Sequence, residues 1–110
     1  MEREEHLKID PTFYDRADAH IHLSNGQITN EIGPGKVSAS MMYATARFNA
    51  YRSWLGFDNP VDMAGARDET VRYFVEQYQM MLEENLDDYI QNFSKYRQTP
   101  GGQHPDDPVQ

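Results

Sequence analysis

Residues 18–23 read DAHIHL, and the conformation given to Asp18-Ala19-His20-Ile21-His22-Leu23 decides what kind of protein this chain is. On a strand, His20 and His22 share a face and could hold one metal ion together; on a helix, at about 100° per residue, they point about 160° apart and cannot. The flanking residues select the helix. Phe13, Ala17, Ile21, Ser24 and Ile28 recur at spacings of three and four, and Asp10-Pro11 offers a capping carboxylate followed by proline, whose missing N–H costs nothing at a first helical position. The spacing predicts a helix over 11–29.

The same hexapeptide matches the D-x-H-x-H-L string of barrel-shaped metal hydrolases, but such a barrel needs about 250 residues and this chain has 110. His20 falls at the edge of the apolar stripe, where a histidine hydrogen-bonded inside or beside the core is expected. His22 falls on the outer face one turn after Asp18, and two ligands leave a metal site incomplete. No metal and no cofactor is expected from these residues.

Outward from the first helix, punctuation at NEIGPGK (30–36) and GFDNP (56–60) divides the rest into two further segments. In the second, Val37, Met41, Ala44, Phe48, Tyr51 and Leu55 form one stripe, and Ala39, Tyr43, Ala46, Ala50 and Trp54 form another on nearly the opposite side. A helix apolar on two faces is expected at the centre of a fold. Arg47 lies beside the second stripe, where a charge needs a partner such as Asp18 or Glu76, or an anionic ligand. The third segment opens on Asn59-Pro60 with Asp62 in its first turn. Its apolar positions, Ala64, Val71, Phe74, Val75, Tyr78, Leu82, Leu86, Tyr89 and Phe93, continue to about Tyr96. Glu83, Glu84, Asp87 and Asp88 place like charges four apart twice, so a break near residues 85–88 is the alternative to one continuous helix.

These readings give an all-α, antiparallel three-helix bundle over residues 10–97, with helices near 11–29, 36–55 and 60–96. Charged residues 1–9 and a Pro/Gly/Asp-rich tail at 98–110 are expected to be disordered. Eighteen acidic residues against ten basic ones give a net charge of −8, which disfavours nucleic acid and anionic membranes and favours neutral or basic partners. The chain has no cysteine, no apolar run of membrane-spanning length and no signal-peptide pattern, so a cytoplasmic setting is expected. Phosphate-loop, dinucleotide, nucleophile-elbow and H-E-x-x-H patterns are absent, and no catalytic residue is singled out.

Four stretches carry a resemblance: FYDRADAHIHL (13–23), GKVSAS (35–40), ATARFNA (44–50) and YFVEQYQMMLEENLDDYI (73–90). Together they resemble a family of short bacterial proteins known only as a domain of unknown function. The resemblance implies a small helical protein and carries over no functional residue. Function is therefore expected from surface chemistry. The leading expectation is a non-catalytic interaction module that works through an apolar helical face, with a protein partner or a homodimer. The alternative is a small ligand-binding protein or enzyme with a polar pocket around His20, Arg47 and tyrosine side chains. A third helix reaching Tyr96 would run roughly 48 Å against roughly 28 Å for the first two. Its overhang, Tyr89, Ile90, Phe93 and Tyr96, is then the expected interface.

Overall fold

A computed structural model describes residues 10–98, of which 80% are helical; none lies in a strand. Five helices follow one another: α1 (Phe13–Gly26), α2 (Pro34–Trp54), α3 (Pro60–Gly65), α4 (Arg67–Gln91) and α5 (Phe93–Arg97). DAHIHL lies wholly within α1, so His20 and His22 diverge. The proposed segment 1–9 and residues 99–110 of the proposed tail lie outside the described residues.

Asp10 organises the start of α1 from two residues further out than a conventional cap. Its Oδ1 accepts from the Thr12 backbone N–H at 3.0 Å and from the Thr12 hydroxyl at 2.9 Å, while the Phe13 N–H donates to the Asp10 carbonyl. Pro11 is thereby part of a turn, and the helix begins at Phe13 instead of 11. Arg16 reaches back to Asp10 Oδ2 at 2.8 Å. After Gly26 the chain reverses through a turn in which Thr29 Oγ1 accepts from the Glu31 and Ile32 N–H groups. α2 then opens on Gly33-Pro34, two residues before the expected Lys36, because Pro34 supplies a helical φ at the first position.

Asn59-Pro60 behaves as its sequence predicts: Asn59 Oδ1 accepts from the Asp62 N–H at 2.9 Å, and Asn59 Nδ2 donates to Asp62 Oδ2 at 3.0 Å. The helix it starts is short. Gly65, poor in helix propensity, precedes an interruption at Ala66, after which α4 begins. α4 passes through residues 85–88 without a break, which corrects the alternative placed there. Like charges four apart on a helix cost only a few tenths of a kcal/mol, too little to break it. The interruption falls at Asn92, whose backbone leaves helical values (φ −111°, ψ 28°) and whose side chain donates to the Asp88 carbonyl at 3.1 Å.

The all-α class holds, whereas the closed three-helix bundle is only sparsely developed. α1 packs on α2, and α3 and α5 each pack on α4. Only Val37 and Tyr96, 5% and 4% exposed, are fully buried among the described residues. Half-buried arcs run along α1 through Phe13, Ala17 and Ile21 and along α4 through Phe74, Gln77 and Met81. α2, expected at the centre, is the least covered long helix: past Val37, only Asn49 and Ser53 are even half-buried. No helix of the described residues is long and apolar enough to cross a membrane.

Candidate functional site

The feature that stands out is the uncovered surface of α2. Its two stripes, separated by small residues, present Tyr43, Phe48 and Trp54 at 70%, 63% and 57% exposure, with Met41, Met42 and Tyr51 beside them. Toward its C-terminal end the second stripe deepens into a concavity of about 390 Å³, lined by Arg47, Ala50, Tyr51 and Trp54 and closed on one side by Met63 of α3. Ala50 creates the depth, since its methyl group leaves room below the rings of Tyr51 and Trp54, which stack with centroids 6.0 Å apart. The Asn59-Pro60 cap sets the direction in which α3 leaves the connection and so brings Met63 to the rim.

Arg47 stands exposed at this concavity. It forms no hydrogen bond or ion pair with another described residue, so neither Asp18 nor Glu76 is its partner. A guanidinium in water needs none, but one covered by apolar surface does. The wall is otherwise apolar, and its chemistry is that of a docking surface with one cationic anchor.

His20 does not belong to it. The covered arc of α1 is turned toward Tyr14 and Asp18, about 90° from His20, and His20 is exposed where a place beside the core was expected. His22 is exposed as well. Among the described residues, no three histidine or carboxylate side chains gather where they could hold a metal ion.

The expected interface at the end of the third segment divides in two. Tyr96 is withdrawn into the chain: its hydroxyl donates to Asp88 Oδ2 at 2.7 Å, its ring lies 4.6 Å from that of Tyr89, and Asn92 Nδ2 donates to Asp88 Oδ1 at 2.9 Å. Tyr89, Ile90 and Phe93 stay exposed, Ile90 at 69%, and Arg97 lies over the Phe93 ring. α4 carries a second exposed row, Val71, Val75, Tyr78, Leu82 and Leu86, centred about 120° around the helix from its half-buried arc. The stripe read from the sequence is this exposed row, with Phe74 alone from the half-buried arc; Gln77 and Met81 were outside it. Sequence reading placed Ala50 in the second stripe of α2 without reading a notch there, although an alanine flanked by Tyr51 and Trp54 is a legible sign of one, and it did not include Met63.

Among the described residues, Asp10 has a strongly perturbed carboxyl, and it does not line the concavity. Hydrogen bonds from Arg16 and from the Thr12 side chain and backbone hold Asp10 well below the usual carboxylate range, and Asp10 in turn raises Arg16. Both serve the start of α1.

A family model described as "Protein of unknown function (DUF3144)" matches residues 13–90, which takes in α1, α2, α3 and all but the last residue of α4. The exposed stripes of α2, the concavity and the exposed row of α4 up to Ile90 thus lie inside the match, and the Asn92–Tyr96 turn lies outside it. No curated protein and no solved structure matches the chain.

Proposed function

We propose, on the premise that this chain belongs to the DUF3144 family of proteins of unknown function, that it is a helical interaction module whose α2 surface is covered by another polypeptide in its working state. The observation that carries this is the exposure of both stripes of the helix with the most apolar pattern. Covering Tyr43, Phe48, Tyr51 and Trp54, each roughly half exposed, removes enough apolar surface from water to contribute on the order of 1 kcal/mol per side chain. With only two fully buried residues among those described, the fold has little else with which to offset the entropy of ordering its helices. In the covered state the helices would close the antiparallel core that the single chain leaves open. The pocket reading keeps Arg47 and Tyr51 but loses His20, and an open apolar notch suits an inserted side chain better than a polar substrate.

Trp54 is the only tryptophan and sits on this surface, so it reports directly on the cover. In the working assembly its fluorescence should resist acrylamide quenching, and Tyr43→Glu, on the same stripe, should make it as accessible as a free indole without loss of helicity. A cooperatively folded wild-type protein whose Trp54 remains fully quenchable in every assembly it forms, including those in host extract, would rule the module out.

A further inference from the structure

Charge along the chain is distributed by element. α2 contains Lys36, Arg47 and Arg52 and no acidic residue, in a protein whose net charge is −8. α4 contains seven acidic residues, Asp68, Glu69, Glu76, Glu83, Glu84, Asp87 and Asp88, against two arginines, Arg67 and Arg72. Each helix also leaves a row of large apolar side chains exposed. At about 100° per residue, Lys36 and Arg47 fall on one line at the edge of the Tyr43–Trp54 stripe; Glu76 and Glu83, seven residues apart, fall on one line about 110° from the centre of the Val71–Leu86 row, with Arg72 between that line and the row. All four are exposed. The chain therefore displays two apolar helical faces on helices of opposite net charge, and among the described residues they do not cover each other.

We infer that the polypeptide covering α2 is a second copy of this chain, which lays the exposed row of its α4 on the second stripe of α2. The same contact repeats in the opposite sense about a two-fold axis. This rests on the reading of α2 as a docking surface and adds its occupant. A two-fold arrangement uses the second stripe of α2 and the row of α4 on both copies and leaves neither of these free to propagate into a fibre. It also gives Arg47 what the described residues of the single chain do not, a carboxylate from Glu76 or Glu83 of the second copy, with an aromatic or leucine side chain of the row seated in the notch over Ala50. Pairing basic α2 with basic α2, or acidic α4 with acidic α4, would set like charges against each other across the contact, which selects the crossed pairing over the direct ones.

The test uses the full chain and light scattering after size exclusion. The wild-type protein should run at twice 12.8 kDa. The double variants Lys36→Glu/Arg47→Glu and Glu76→Lys/Glu83→Lys should each weaken the dimer roughly tenfold or more, and an equal mixture of the two should restore it, because both contacts of the mixed pair then carry opposite charges. Should either variant lose its helicity, the natural absence of cysteine offers a second route. Chains bearing Ala50→Cys mixed with chains bearing Tyr78→Cys should form the mixed disulfide in preference to either homodisulfide. Variants that dimerise as the wild type does, a mixture that stays monomeric or a disulfide pattern without the mixed species would each overturn the crossed pairing. A wild-type monomer whose Trp54 is shielded only after host extract is added would overturn self-pairing while leaving the docking function standing. A wild-type monomer with Trp54 already shielded would mean that the chain closes on itself, and both readings would fall.

Discussion

At the scale of single residues, Tyr96 carries more than its position near the end of the chain suggests. It is one of two fully buried side chains among the described residues, and its hydroxyl is tied to Asp88. Tyr96→Phe should lower stability by about 1–2 kcal/mol through the lost charge-assisted hydrogen bond, and Tyr96→Ala by about 3 kcal/mol or more through the lost packing, both read from urea melts monitored by circular dichroism. Asp10 makes a different contribution. Its carboxyl is held below its ordinary value of 3.8, so its support of the α1 start is fully present above that value and is lost as the pH falls through the lower folded value. Amide exchange at Thr12 and Phe13 should therefore lose protection, relative to the rest of α1, as the pH is taken from about 5 toward 2; Asp10→Asn should abolish that extra loss. What was legible at this scale was what is settled within a few residues. Asn59-Pro60-x-Asp62 forms its reciprocal cap because every partner is local. His20 was misplaced because its exposure depends on which arc of α1 turns inward, and that is fixed by the rest of the chain.

At the scale of elements, helix existence followed from apolar periodicity, and helix ends followed where proline or a capping side chain marks them. The interruptions were harder to see. The acidic cluster at 83–88 is conspicuous in the sequence but energetically slight, whereas Gly65 and Asn92 are inconspicuous and decide where the third segment divides. Gly65 provides a direct check. A methyl group added there would meet no atom within 4 Å, so Gly65→Ala should stabilise the protein by about 0.5–1 kcal/mol by favouring the helix and restricting the unfolded chain. A melt unchanged or lowered by this substitution would mean that α3 needs the bend to keep Met63 at the notch. Phe74, of the half-buried arc, fell in with the exposed row of α4 in the sequence for a geometric reason: it lies about 80° from the centre of that row, and a pattern of threes and fours tolerates that spread.

At the scale of the whole molecule, the two-faced pattern of α2 was read as the mark of a central helix. The pattern says that both faces want cover, and it is silent on which chain supplies the cover, because hydrophobic burial does not distinguish the same chain from another copy. If association completes the fold, the melting temperature should rise with protein concentration, by several degrees over a hundredfold dilution series, and a concentration-independent melt would show that the chain is stable alone. The connectivity described above also bears on how the protein is made. α1 pairs with α2, α3 with α4 and α5 with α4, each with an element adjacent in sequence. Contacts of such short separation form quickly, on microsecond to millisecond scales, because little loop entropy must be lost before they are made. Stopped-flow refolding should then show a fast rise in helicity at a rate indifferent to concentration, followed by a slower burial of Trp54 whose rate doubles when the protein concentration doubles.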